Sequence, residues 1–61
     1  MRLTVFHVEY DANNGYGALT RVDNDVAAES VQVVLRAIEK AHPGSRIVSI
    51  ARRFDVDVML A

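Results

Sequence analysis

The sequence predicts an α+β domain in which an antiparallel sheet of three or four strands carries one helix packed on one face, in the order ββαβ or ββαββ. Three observations lead there. A run of β-branched and aromatic residues stands before the turn signal Asp11-Ala12-Asn13-Asn14-Gly15. Apolar residues recur at helical spacing through the middle of the chain and stop at Pro43-Gly44. Apolar and polar residues alternate through the C-terminal third. With 61 residues, the chain is read as one domain spanning 1–61.

The first strand is expected over Leu3 to Tyr10, where Phe6, Val8 and Tyr10 share one face with Thr4, and Leu3, Val5, His7 and Glu9 share the other. Such runs suit a pleated, half-buried surface. Asn and Gly tolerate the positive φ of tight hairpin turns, so Asp11 to Gly15 should reverse the chain. The second strand is then expected over Tyr16 to Val22, with Gly17 as a bulge or a close backbone approach. A two-residue turn would set Tyr10 opposite Leu19. A three-residue turn would set Tyr10 opposite Ala18 and Phe6 opposite Val22. The second gathers Phe6, Val8, Thr20 and Val22 on one face and is preferred.

Asp23-Asn24-Asp25 has the chemistry of a helix start, because short polar side chains accept bonds from the first free amides and negative charge suits the positive dipole end. The helix is expected from Asp25 to Ala41 or His42, with Ala27, Val31, Val34, Leu35, Ile38 and Ala41 as its core stripe. Val26, Ser30, Val33 and Ala37 form a second stripe, most simply a widening of the apolar face, although Val33 is hard to place in one core. Val33 is therefore a candidate contact for another molecule. Pro43-Gly44 ends the helix.

The third strand starts near Arg46. Val48, Ile50, Phe54, Val56, Val58 and Leu60 alternate with Ser49, Ala51, Arg53, Asp55, Asp57 and Met59, and Arg52 is the one break on the apolar side. Such a strand would span roughly 50 Å at about 3.3 Å per residue. A domain of this length has a radius of gyration of about 10 Å. The strand should thus either fold back at Arg52-Arg53, giving a fourth strand, or run on into a neighbour.

Composition narrows the function. A chain this short hides only about 60% of the surface its unfolded form exposes, and small scaffolds are usually reinforced by disulfides, metals or partners. There is no cysteine, and the hydrophobic fraction is 51%, so a partner is the expected reinforcement. The formal net charge of −1 is poorly suited to neutralising phosphates. No apolar run has membrane-spanning length, and the N-terminus lacks the long apolar region of a signal peptide. The expectation is a cytoplasmic protein with no membrane partner.

No catalytic, cofactor-binding or metal site is expected. Ser30, Ser45 and Ser49 stand outside any nucleophile motif. Gly15, Gly17 and Gly44 fit neither nucleotide-binding fingerprint. Asp11, Asp23 and Asp25 do not have calcium-loop spacing. His7 and Glu9 on one strand face could make an acid–base pair or half of a metal site, but a solvent-side or interface face is the simpler reading. His42 reads as a helix-end cap.

Two binding readings are left. In the first, the chain is a non-catalytic protein-binding module, homodimeric through its C-terminal strand, with Tyr16, Val33, Arg52, Arg53, Phe54, Val56 and Val58 as candidate contacts. Strand addition is a general way for a small sheet to grip a partner, and Arg and Tyr are common anchors. In the second, Arg46, Arg52 and Arg53 with Tyr10, Tyr16 and His7 hold a single-stranded nucleic acid on the sheet.

The segment Val22 to Ile50 resembles short phage-encoded and mobile-element proteins of ββαβ build. The residues that carry the likeness are Asp23-Asn24-Asp25, Ala37-Ile38-Glu39-Lys40-Ala41 and Pro43-Gly44-Ser45-Arg46-Ile47-Val48-Ser49-Ile50. The resemblance implies a protein that binds a host machine, as anti-CRISPR proteins and other inhibitors of host complexes do. It assigns no residue a role.

Overall fold

In the computed structural model, which describes residues 1–13 and 15–58, the elements follow the order β1 (Arg2–Asn13), β2 (Leu19–Ala28), α1 (Val31–Ala41) and β3 (Arg46–Asp57). The three strands form one antiparallel sheet in the order β2-β1-β3. The fold is therefore α+β with a three-stranded sheet and one helix. No fourth strand is present among the described residues.

The hairpin is longer than the turn residues suggest. Tyr10 pairs with Val22 and Phe6 with Val26, four residues beyond the expected register. That shift is even, so every side chain stays on the face assigned to it. The connection runs from Asn13 to Leu19. The Asn13 side chain accepts a hydrogen bond from the Gly15 amide at 2.9 Å, and Gly15 and Gly17 both take positive φ. Gly17 thus serves the connection and not a strand bulge.

Extra pairing length comes from residues expected in the helix. Asp23-Asn24-Asp25 lies in mid-strand, and β2 continues to Ala28. The helix begins only after Ser30, which is extended (φ −155°, ψ 166°) and makes no side-chain cap. Val22 and Val26 explain the ambiguity: a spacing of four marks one face of a helix and, being even, also one face of a strand. The C-terminal end is as expected. The His42 amide donates to Ile38 O at 2.7 Å, and Gly44 takes φ +81°.

The third strand neither folds back at Arg52-Arg53 nor overshoots the body. The first strand is equally long, with 12 residues each, and the two pair from Arg2↔Asp57 to Asp11↔Arg46. The body itself is elongated, 41 × 21 × 16 Å. Two bulges interrupt the ladder. Val5 faces Phe54 while Phe6 faces Arg52, which leaves Arg53 as an extra residue; Glu9 faces Ser49 while Tyr10 faces Ile47, which leaves Val48 extra. A bulge bends a strand without ending it. It also switches the faces of the residues beyond it. Ile50 lies opposite Val8, but Phe54 and Val56 lie opposite Val5 and Leu3. The apolar series that is continuous in sequence is thus divided between two faces. Val58 follows the strand, and its amide donates to Met1 O at 2.7 Å. Met59 and Leu60, expected to extend the strand, lie outside the described residues.

The core is small. Phe6, Val8, Tyr10 and Ala12 of β1, Ala28 of β2, and Val34 and Ile38 of α1 form one buried cluster, bordered by Val22, Val26, Val31, Ile47 and Ile50. Of the expected helix stripe, Val34 and Ile38 are buried and Val31 half-buried, while Leu35 and Ala41 are exposed and Ala27 belongs to β2. Val33 is 42% exposed.

Candidate functional site

The side chains of Phe6, Val8, Tyr10 and Ala12 on β1 enter the core, so the odd-numbered Leu3, Val5, His7, Glu9 and Asp11 lie on the opposite face of the sheet. Each is half-buried. Pairing adds Ala27, Asp25, Asp23, Arg21 and Leu19 from β2, all exposed, and Val56, Phe54, Ala51, Ser49 and Arg46 from β3. No pocket opens among the described residues. The site is therefore a surface, apolar at one end and charged along the rest.

The apolar end is Leu3, Val5, Ala27, Phe54 and Val56. It forms because the Arg53 bulge turns Phe54 and Val56 away from the core. Phe54 is 52% exposed, a large apolar area to leave in water.

The charged part centres on His7. Its Nε2 lies 2.5 Å from Asp23 Oδ1 and its Nδ1 2.7 Å from Asp25 Oδ1. Arg53 donates to Asp25 Oδ2 at 3.3 Å. On the far side, Arg21 donates from Nε to Asp11 Oδ1 at 2.6 Å and from Nη1 to Glu9 Oε2 at 3.2 Å. Hydrogen bonding to Asp25, reinforced by the charges of Asp23 and Asp25, raises the His7 pKa above its usual 6.5. The same bond to His7, with the nearby Arg53 charge, lowers that of Asp25. The Arg21 pKa is raised first by its bond to Asp11. At the apolar end but on the core side of the sheet, Thr4 donates to Asp55 Oδ1 at 2.7 Å and Arg52 Nη2 lies 3.0 Å from both Asp55 oxygens. These bonds, that of Thr4 first, lower the Asp55 pKa.

Only part of the predicted contact set comes together. Phe54 and Val56 share the apolar end, with Val58 just beyond it. Arg53 lies beside Asp25. Arg52 is on the other face with Asp55. Tyr16, 93% exposed, lies in the hairpin connection at the opposite end of the sheet, and Val33 is on the helix. Sequence reasoning missed Asp23 and Asp25 as companions of His7, because it assigned them to a helix start. The signal that could have found them is their own alternation with Val22, Asn24 and Val26, which continues the period of two.

Several positions weigh against the nucleic-acid reading. Tyr10 is 5% exposed, packed against the His42 ring at a centroid distance of 5.6 Å, and has no face free for a base. Arg52 and Arg53 are paired with carboxylates. His7 lies between Asp23 and that same Asp25.

Comparison with protein-family models finds no match, and neither does comparison with curated proteins or with solved structures. No helix among the described residues is long and apolar enough to cross a membrane.

Proposed function

We propose that the chain is a non-catalytic protein-binding module that joins a second copy of itself through the C-terminal half of β3 and the apolar end beside it. The observation that carries this reading is the exposure of Phe54, continuous with Leu3, Val5, Ala27 and Val56 on a sheet end where β3 pairs on one side only. Size supports it. The accessible surface is 4520 Å², whereas a monomer of this mass is expected to expose roughly 4,000 Å². The radius of gyration is 12.8 Å, against about 10.5 Å for a compact domain. The excess surface is of the same order as the roughly 800 Å² that each partner contributes to a stable interface.

The bulges at Val48 and Arg53 fit the same reading. Bulges and charges protect an edge strand from indiscriminate pairing. Beyond Arg53 the segment Phe54 to Asp57 pairs regularly with Val5 to Arg2, so its outer edge is the regular part of the β3 edge nearest the apolar end. Sedimentation equilibrium at micromolar concentration should give a dimer mass, and Phe54→Asp should give a monomer with an unchanged circular dichroism spectrum. A monomer mass for the unaltered chain up to millimolar concentration refutes the homodimer.

A further inference from the structure

The charged part of the same face offers a chemistry that protein binding does not use. His7 and Glu9 are two residues apart on β1 and so project from one face. In the register, Asp25 lies opposite His7 and Asp23 opposite Glu9. The four side chains make a square across two adjacent strands, and His7, Glu9 and Asp23 bring one ligand atom each to within 4.8 Å of one another.

We propose that His7, Glu9 and Asp23 bind one divalent transition-metal ion, with zinc as the reference ion, while Asp25 orients the imidazole from behind. Imidazole nitrogen and carboxylate oxygen are both zinc ligands, at about 2.0–2.2 Å, and a tetrahedral ion with such bonds holds its ligand atoms roughly 3.3 Å apart. The three donor atoms need only small side-chain rotations to reach that spacing, because all are on half-buried or exposed chains. Water fills the remaining coordination.

The second nitrogen of His7 makes this more than a gathering of acids. A metal-ligating histidine generally gives its other N–H to a carboxylate, which fixes the tautomer and ring orientation. Here Nδ1 is 2.7 Å from Asp25 Oδ1, and Asp25 is itself held by Arg53 through its other oxygen. Nε2 is the nitrogen that points to Asp23. Arg21 steadies Glu9. Both ring nitrogens are thus already placed for their separate tasks.

Charge balance agrees. The ion pairs on this face set four carboxylates, those of Glu9, Asp11, Asp23 and Asp25, against the guanidinium groups of Arg21 and Arg53 and the imidazole. With His7 protonated, one negative charge is left over. A dication in place of that proton brings this ion-paired set, which does not include Arg46 on the same face, to neutrality.

Calorimetric titration of the full chain with zinc chloride in a non-chelating buffer should show one equivalent bound with micromolar affinity. His7→Gln should abolish it, and Glu9→Gln or Asp23→Asn should weaken it strongly. Asp25→Asn should weaken it by about tenfold or more without abolishing it, and Glu29→Gln, outside the square, should leave it unchanged. Binding that survives His7→Gln, or no binding at millimolar zinc, overturns the proposal. Imidazole nitrogen shifts of the unaltered chain give a check that does not depend on a variant folding. Zinc should move the His7 Nε2 resonance and leave those of His42 in place; a shift at His42 alone, or none, overturns the site.

Discussion

The two faces of this sheet are made from the same strands yet differ in kind. On the even-numbered face of β1, Phe6, Val8, Tyr10 and Ala12 are buried in succession. On the odd-numbered face, Leu3, Val5, His7, Glu9 and Asp11 are only half-buried, and the β2 partners beside them are exposed. From Phe6 to Ala12 the first face is uniform and closed; the other changes from apolar to charged along its length. The difference teaches that stability and recognition are separated here by residue parity. A substitution on the closed face should change whether the domain folds. A substitution on the open face should change what the folded domain meets.

The largest test of that division is Phe6→Ala. Truncating a buried aromatic side chain costs about 3–5 kcal/mol through lost burial and the cavity left behind. A domain of this length has a total stability of roughly 3–9 kcal/mol at 0.05–0.15 kcal/mol per residue. The variant should therefore lose most or all of its cooperative urea transition. A midpoint equal to that of the unaltered chain would show that the even-numbered face is not the core.

The element order, the parity of the hairpin and the helix end were legible in the sequence because each rests on local chemistry. Alternation fixed which side chains of β1 share a face, and Pro43-Gly44 fixed where the helix stops. The β2–α1 boundary was not legible, because Asp23-Asn24-Asp25 has the composition of a helix cap and the role of a strand. What decides between the two is pairing with β1, which puts Asp25 beside His7, and no local propensity reports such a partner. The division of the C-terminal apolar series was hidden for a related reason. A bulge at Arg53 leaves no gap in the sequence alternation, yet it moves Phe54 and Val56 to the face opposite Ile50. Most of the candidate site follows from those two events.

A second test uses pH to separate the faces. The His7 pKa is raised above 6.5 by Asp25 and Asp23, with Arg53 opposing. A group with a raised folded-state pKa contributes stability that is complete below its unfolded value and is lost as pH rises through the folded one. Metal-free protein should thus show a falling urea midpoint on the alkaline side of 6.5. Asp25, lowered from 3.8, has the opposite sign: its contribution is present above that value and lost as pH falls through the depressed one. His7→Gln should flatten the alkaline limb. An alkaline limb that persists in His7→Gln would assign the pH dependence to other groups, and the charged square would lose its claim to hold the imidazole.

The smallest expected effect on folding, and the sharpest comparison, comes from Phe54→Ala set beside Phe6→Ala. Both remove the same side chain from neighbouring rungs of the β1–β3 ladder. Phe6 is 6% exposed and Phe54 is 52% exposed. Substitutions of exposed residues away from special features usually change stability by no more than about 0.5 kcal/mol, so monomer stability, measured in urea at a concentration where the dimer has dissociated, should hardly move. At higher concentration the two chains should diverge, because dimerisation stabilises the folded state by mass action. The unaltered chain should gain stability with concentration and Phe54→Ala should gain less. If Phe54→Ala instead costs several kcal/mol in the dilute monomer, the ring belongs to the domain's own core. The apolar end of the open face would then be a part of the fold and not a surface for a partner.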